Sequence, residues 1–435
     1  MLSKAPNGIS FEPNRCCQCG VCLSVCPHGA LTACIDDKLL IYRIDWQREK
    51  CSLCGRCVKT CPASVTSTWS VQQNPPEIPA TYLAWITDER LRYCSSSGGA
   101  CRGLIQAALD CGLADYAYTL LKTDAFPWAQ GRWMRSIEDL SAIANSLYLP
   151  LMFGKNLYPL PAGNRLLVAG LPCQLAAFTR SLGGSRSLSS NRSLSSSKVK
   201  GDLFTIAIFC KQQKTFGFAR FFASLAGYEF PSCPPITFRG NGWPGQVSIG
   251  SSPGSYSEPW EQIAGLIFGK KLWRLPACAL CADPFASGAD LVLADPWGIS
   301  GQSIDAGKTL VFAMSMRGRS FLESQKGQEA GKRQEGGKKQ MAWNEIPGKV
   351  AFDSIDWPGM VRKARLKKLY AGQATGAGTG TGDDAGTGTS GMERLFFFLA
   401  EKQKRVYESL LDCFKPPVWL QKVIGKLPDL ERLVR

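Results

Sequence analysis

The chain has 435 residues, enough for two or three domains. It has neither an apolar run near the roughly 20 residues that span a bilayer nor a signal peptide, so we expect a cytoplasmic protein. Nineteen cysteines in a reducing compartment favour metal clusters over disulfides. The net charge of +16 does not indicate a nucleic-acid binder, because the basic residues lie in Gly-rich and terminal segments rather than on one aromatic-lined face; it suits an acidic substrate or partner.

Residues 1–75 contain one cysteine motif twice. Each copy reads C-x2-C-x2-C-x3-C-P, the spacing of bacterial two-cluster ferredoxins. The cysteines are Cys16, Cys19, Cys22 and Cys26 in the first copy, and Cys51, Cys54, Cys57 and Cys61 in the second. A zinc site usually shows two separated CxxC pairs instead. The repeat therefore predicts an α+β ferredoxin-like domain with two 4Fe-4S clusters.

The spacing also predicts which thiolates share a cluster. Three closely spaced cysteines hold three irons of a cube, and the fourth opens a helix that points toward the other cluster. We assign Cys16, Cys19, Cys22 and Cys61 to one cluster, and Cys51, Cys54, Cys57 and Cys26 to the other. Cys17 and Cys34 fall outside the pattern and are expected to be packed thiols. His28 is the only histidine, so we expect no histidine base or nucleophile and no catalytic side chain of that type.

An α/β domain with a mixed sheet is predicted for residues 76–315, after the Pro-bearing connector "VQQNPPEIPA". The candidate strands are "YLAWIT", "ADYAYTLL", "RLLVAG", "LFTIAIFC" and "ADLVLAD", and helices are expected after Gly99, Pro172 and Thr215. A Ser-rich insertion at 181–199 interrupts this pattern, and we expect it to be a mobile surface loop.

The remaining residues are predicted to end the domain and extend from it. Residues 316–370 hold a charged loop and the end of the domain, and residues 371–391 are a flexible Gly/Thr tether. Residues 392–435 have the apolar spacing of C-terminal helices with basic flanks. These helices are expected to pack on the protein itself, with docking on a partner or peripheral contact with a membrane as the alternative.

Four further cysteines fall at the ends of predicted strands and in a CxxC pair. Cys173 follows "RLLVAG", Cys210 ends "LFTIAIFC", and Cys278 and Cys281 form the pair. Because the carboxyl ends of parallel strands meet at one edge of a sheet, we expect these thiols to converge. A third 4Fe-4S cluster is the preferred interpretation, and a zinc ion remains the alternative.

Five short motifs occur in a fixed order: "SSSGGA", "GLPCQ", "FRGNGWPG", the CxxC-x-D segment and "ADLVLADPWG". Together with the ferredoxin repeat they resemble the coenzyme F420 hydrogenase/dehydrogenase beta-subunit family. Its relatives include the input subunit of the dehydrogenase of reduced coenzyme F420 and 7-hydroxymethyl chlorophyll a reductase. The resemblance implies an α/β mixed-sheet flavin domain, FAD, and an iron-sulfur cluster held by the four cysteines of the previous paragraph.

The resemblance also places the flavin contacts. They are expected at Ser95, Ser96, Ser97, Gly98 and Gly99, at Arg239, Asn241, Gly242 and Trp243, and at Asp295 and Trp297. An ordinary capped turn is the alternative for the first five. Coenzyme F420 has an anionic tail, for which Lys270, Lys271 and Arg274 are candidate contacts; a solvated basic turn is the alternative. No G-x-G-x-x-G follows a strand, so a dinucleotide Rossmann site is not indicated.

The function implied is electron transfer between a two-electron donor, such as reduced coenzyme F420, and one-electron carriers. The electrons would pass through FAD and 4Fe-4S clusters to a protein partner, either a ferredoxin or a larger redox complex. The chain departs from the family at Ala294, which replaces a glycine, and at "KQQKTF" after Cys210. These departures concern the donor, so two alternatives stay open: a ferredoxin-driven reductase of an organic substrate, and a non-catalytic electron-transfer subunit.

Overall fold

The computed structural model describes residues 15–63, 80–162, 165–183, 202–250, 255–299, 307–327 and 341–345, except for the single positions 137, 139, 282, 287 and 298. The predicted tether at 371–391, the C-terminal helices at 392–435 and nearly all of the Ser-rich insertion lie outside these residues. Among the described residues there is no helix whose length and apolarity would let it cross a bilayer.

The cysteine-rich segment folds as two short helices on either side of a hairpin. The elements are α1 (Val21–Ser24), β1 (Leu31–Asp36), β2 (Ile41–Trp46) and α2 (Arg56–Thr60), and the two strands are antiparallel. Each helix begins after a glycine with positive φ, 73° at Gly20 and 69° at Gly55, a conformation that glycine adopts without the cost borne by other residues.

An eight-stranded mixed sheet forms the centre of the molecule, as the alternation of strands and helices predicted. Its strands are β3 (Ala80–Ile86), β4 (Tyr116–Lys122), β5 (Ala129–Met134), β6 (Arg165–Gly170), β7 (Asp202–Ile208), β11 (Leu291–Ala294), β12 (Thr309–Ala313) and β13 (Met341–Glu345). Their order is β13-β3-β12-β11-β7-β6-β4-β5. The four central strands β11, β7, β6 and β4 are parallel, and the outer pairings are antiparallel.

Other elements cover both faces of the sheet. Successive side chains of a strand point to opposite sides, so each face has apolar side chains to bury. The helices are α3 (Glu89–Cys94), α4 (Ala100–Asp110), α5 (Pro172–Ser181) and α8 (Met316–Gly327). On one face α4 and α8 bury Leu104 and Phe321. On the other face α5 buries Phe178, and Val21 of the cysteine-rich segment joins the same core. The cysteine-rich segment therefore packs on the α5 face.

A smaller antiparallel sheet and two helices form an aromatic core beside the large sheet. The strands are β8 (Ile236–Thr237), β9 (Gln246–Ile249) and β10 (Tyr256–Pro259), and the helices are α6 (Phe216–Leu225) and α7 (Ile263–Gly269). Phe218 and Phe238 stack with ring centroids 5.4 Å apart and an interplanar angle of 17°. This unit carries the predicted "FRGNGWPG" segment.

The five predicted strands and the three predicted helix starts are present. The sequence analysis did not name the other strands, which are β1, β2, β5, β8, β9, β10, β12 and β13. Strand β13 pairs with β3, so the sheet continues beyond residue 315 into the segment interpreted as the end of the domain.

Candidate functional site

The first set of predicted ligands, Cys16, Cys19, Cys22 and Cys61, comes together between α1 and α2. Cys22 lies within electrostatic reach of the other three thiols. Burial, with a smaller contribution from Cys19 and Cys61, raises the pKa of Cys16 to about 12. Thiols that repel one another as anions need a bound cation to be deprotonated together.

The second set lines one cleft of about 400 Å³ that contains Cys26, Cys51, Cys54 and Cys57. Burial raises the pKa of Cys57 to about 11, and the other three thiols add to the shift. The fourth cysteine of each motif thus lies beside the first three of the other motif. This crossed arrangement is the one that the spacing predicted. His28 also lines the cleft and is exposed.

The third set converges at the carboxyl ends of the parallel strands. Cys173, Cys210, Cys278 and Cys281 line a cleft with about 570 Å³ of empty space. Cys173 stands in the first turn of α5, after β6, and Cys210 follows β7 and donates its backbone N–H to the Pro284 carbonyl at 3.0 Å. Parallel pairing of β6 with β7 brings these two ends together.

The backbone around the CxxC pair holds its sulfurs toward this cleft. Cys278 lies in a 3-10 turn at Pro276–Ala279, whose proline is suited to its first position. The Gln213 backbone N–H donates to the Cys278 sulfur at 3.2 Å. An N–H aimed at a sulfur stabilises negative charge there, which suits a thiolate ligand.

Cys17, which the sequence analysis expected to be a packed thiol, lies between two of the predicted ligand sets. It lines the same cleft as the third set. Its side chain interacts with those of both Cys173 and Cys19. The contact with Cys173 raises the pKa of Cys17 well above its ordinary value. One side chain therefore touches a member of the first set and a member of the third. The consecutive pair "CC" was the only signal in the sequence.

Cys34, the other cysteine outside the motifs, lies on β1 and donates to an Asp45 carboxylate oxygen at 2.9 Å. Within the described part of the chain, no three His, Cys, Asp or Glu side chains meet closely enough to hold a single metal ion.

The predicted flavin residues come from three separate segments and form one neighbourhood. Arg239 is 2% exposed and donates to an Asp295 oxygen at 3.1 Å and to the Ser96 carbonyl at 3.1 Å. Its guanidinium lies 5.0 Å from the Trp243 ring and 5.9 Å from the Trp297 ring. The two indoles are 4.9 Å apart, and Trp297 is 41% exposed.

This neighbourhood fits a planar, partly anionic cofactor in two respects. The buried Nε of Arg239 has no hydrogen-bond partner among the described residues, and a buried donor of this kind usually has one. Trp297 offers a partly exposed ring for stacking, and its indole N–H donates to Asp295 at 3.3 Å. Asn241 is exposed with φ at 59°, and the Gly242 N–H donates to the Tyr93 carbonyl at 2.9 Å.

The serine loop is held by hydrogen bonds of its own. Ser95 donates to the Leu91 carbonyl at 2.6 Å, the Ser96 hydroxyl accepts from the Ser146 N–H at 2.9 Å, and Ser97 donates to the Lys308 carbonyl at 2.7 Å. The loop ends at Gly98 and Gly99, both with positive φ. A Cβ at Gly98 would stand 2.7 Å from the Gly307 carbonyl oxygen. These hydrogen bonds fix the conformation of the loop.

The basic residues proposed for an anionic tail lie between α7 and the CxxC turn. Lys270, Lys271 and Arg274 are half-buried, and each already interacts within the protein. The backbones of Arg274 and Lys214 form an isolated antiparallel β-bridge. The Lys214 ammonium is buried and donates to the Leu272 carbonyl at 2.8 Å. Lys214 therefore fixes the segment that joins these residues to the third cysteine set.

Comparison with known proteins agrees with the resemblance. Residues 81–157 match the model of the coenzyme F420 hydrogenase/dehydrogenase beta subunit N-terminus, and residues 163–335 match that of its C-terminus. Residues 9–32 match a 4Fe-4S binding domain. No curated protein matches the sequence.

Among solved structures, a chain from the xenon-derivatised F420-reducing NiFe hydrogenase complex of Methanosarcina barkeri is similar. It is 15% identical with a TM-score of 0.47, and the match covers 70% of the present chain and 94% of the other. On the two family models, which together span most of residues 81–335, the chain belongs to the coenzyme F420 hydrogenase/dehydrogenase beta-subunit family and has a 4Fe-4S binding domain at its N-terminal end.

Proposed function

We propose that the chain is an iron-sulfur flavoprotein oxidoreductase that passes electrons between a two-electron donor and one-electron carriers. Two 4Fe-4S clusters would be held by the crossed ferredoxin sets, and a third by Cys173, Cys210, Cys278 and Cys281. The observation that carries the proposal is the side-by-side placement of the first and third sets, joined by Cys17. Separate structural metal sites would not need to touch.

FAD is the group proposed for the neighbourhood of Arg239. When bound, a flavin exchanges a hydride with a two-electron donor and single electrons with iron-sulfur clusters. Arg239 would supply positive charge from a site that excludes water, and Asp295 fixes its orientation through their 3.1 Å contact. Trp297 would stack on a ring, and the backbone of Ser95–Gly99 would face an anionic group.

Reduced coenzyme F420 is the proposed donor, as the family indicates, with Lys270, Lys271 and Arg274 as contacts for its tail. The proposed acceptor is a protein, either a ferredoxin or a larger redox complex. Peripheral membrane contact by residues 392–435 remains a proposal of the same kind.

The proposal is tested by anaerobic purification of the full chain with iron, sulfide and flavin quantitation. We expect about twelve irons and about one FAD per chain. Eight irons would contradict the third cluster, and absence of flavin would contradict the flavoprotein. Bleaching of the flavin by reduced ferredoxin but not by reduced coenzyme F420 would overturn the proposed donor.

A substitution separates the third cluster from the other two. In Cys173→Ser we expect about four irons to be lost while the spectroscopic signals of the ferredoxin clusters remain. Cys111→Ser is the matched control, because Cys111 is exposed at the end of α4 and belongs to none of the three sets. Unchanged iron content in Cys173→Ser would contradict the assignment.

A further inference from the structure

The two ferredoxin motifs form equivalent loops that face different surroundings. In the first loop Gln18 has φ at 59°, and in the second loop Leu53, at the same position of the motif, has φ at 56°. Both loops end at a glycine with positive φ. The sequence repeat is thus a repeat of backbone shape, and the two loops can be compared position by position.

The outer face of the first loop is covered by the rest of the chain. Gln18 is 2% exposed, and its amide donates to and accepts from the Tyr42 backbone at 3.0 and 2.8 Å. The Cys19 carbonyl accepts from the Gly154 N–H at 2.7 Å. Cys17 and Gln18 line the cleft of the third cysteine set, so this loop faces inward.

The same face of the second loop is exposed. Ser52, Leu53 and Cys54 are all exposed, and Leu53 is 44% exposed. The left-handed backbone of Leu53 has a higher conformational free energy than it would have with glycine or asparagine at this position. An apolar side chain held there beside the most exposed member of the second set suits contact with another molecule.

Basic residues flank this exposed loop in the sequence. Arg48, Lys50, Arg56 and Lys59 are exposed near it, with Glu49 as the only acidic residue among positions 48–59. The acidic residues Asp36 and Asp37 lie at the turn of the hairpin, at its other end, and Asp45 on β2 is paired with Arg43 at 2.9 Å. The residues on either side of Cys54 therefore carry a net positive charge that the hairpin carboxylates do not pair with.

We propose that the exposed loop Ser52–Cys54, with the basic residues Arg48, Lys50, Arg56 and Lys59 around it, is the docking surface for an acidic one-electron carrier protein. The inference rests on the proposed function, because it takes the second cysteine set to hold a cluster. Positive charge steers a negatively charged partner to the surface. Leu53 supplies an apolar contact at the centre of the docking surface. The cluster held beside Cys54 would exchange a single electron with the carrier protein.

The test measures binding of a small, acidic, oxidised plant-type ferredoxin to the full holo-chain by anaerobic calorimetry. For Arg48→Glu/Lys59→Glu we expect the Kd to rise at least about tenfold at about 50 mM salt. The difference should disappear at about 0.5 M salt, where charges are screened within a few ångströms. The matched control is Arg90→Glu/Arg135→Glu, an equal charge change at exposed positions of the other part of the chain, for which we expect less than about a twofold change.

A second variant tests the apolar contact. Leu53→Asn introduces a residue that tolerates the left-handed backbone and removes the apolar side chain. We expect the Kd to rise about fivefold at both salt concentrations, because salt does not screen apolar burial. Iron content equal to that of the unaltered chain shows that the loop still holds its cluster.

Equal weakening by the control pair would overturn the docking surface, as would unchanged affinity in both loop variants. Binding of the loop to anionic vesicles in place of the ferredoxin would also overturn it. Iron and flavin contents are measured on the same samples. Full contents with unchanged affinity would refute only this inference, whereas missing flavin would refute the proposed function.

Discussion

Cys17 and Ser52 occupy the same position in the two motifs, yet their surroundings differ. Ser52 is exposed, whereas Cys17 contacts Cys19 and Cys173. A thiol that donates to a ligand sulfur stabilises the more negative, reduced state of a cluster. We therefore treat Cys17 as a positioning residue between two proposed clusters and not as a ligand.

The corresponding prediction concerns reduction potentials. Cys17→Ala should lower the potential of the third cluster by about 40 mV, since one hydrogen bond contributes about 1 kcal/mol and about 59 mV is a tenfold change for one electron. Cys17→Ser keeps a donor and should restore most of the shift. Potentials are measured by redox titration followed by electron paramagnetic resonance. Loss of about four irons in Cys17→Ala would contradict the prediction and make Cys17 a ligand.

At the scale of elements, α1 is where the cysteine-rich segment meets the α/β part. Gly20 precedes α1, and a Cβ there would stand 2.8 Å from the backbone of Met152. Gly55 precedes α2 with nearly the same φ, but a Cβ there would have no atom within 4 Å. Both glycines therefore have a left-handed backbone, but only Gly20 is also packed closely against another part of the chain.

This pair gives a matched prediction. In both Gly20→Ala and Gly55→Ala, the alanine must adopt a left-handed backbone conformation. This should lower the free energy of unfolding by about 1–2 kcal/mol. Gly20→Ala should lose about 1–3 kcal/mol more, because the helix is pushed from Met152. The measurement is the loss of cluster absorbance during urea unfolding. Equal midpoints for the two variants would show that the contact with Met152 adds nothing.

What the sequence predicts at this scale follows from local signals. Spacing alone predicts the crossed cysteine sets, whose members lie near one another. Continuous apolar runs predict the central strands, because buried parallel strands are apolar on both faces. Strand β10, "YSEP", is short and polar, and β13 pairs with β3 across nearly the whole domain, so neither has a local signal. The hydrogen bonds of Ser95–Ser97 and the contacts of Cys17 depend on segments distant in sequence.

At the scale of the whole molecule, the cysteine-rich segment has few apolar contacts of its own. Leu31 and Ile44 form a small cluster that is completed by Met152. Ile41 packs with Leu275 and Ala277. The segment thus depends on the other part of the chain and, under the proposed function, on iron.

Iron removal should therefore unfold this segment before the sheet. After treatment with acid and chelator, we expect trypsin to cleave after Arg43, Lys50 or Lys59, since metal binding contributes folding free energy. Arg102, Lys214 and Arg239, which are buried, serve as internal control sites and should stay uncut. Mass spectrometry identifies the cleavage sites. Equal cleavage at the control sites, or none in the cysteine-rich segment, would contradict this expectation.

The position of β3 has a consequence for the order of assembly during synthesis. It is the first strand of the large sheet to be made, and it pairs on one side with β12 and on the other with β13, the last two. Both edges of β3 stay open while the intervening chain is translated, and open edges invite pairing with other chains. Residues 16–61, by contrast, are complete before β3 emerges. The segment's apolar contacts with Met152, Leu275 and Ala277 nevertheless wait for later parts of the chain, just as closure of the described sheet waits for β13.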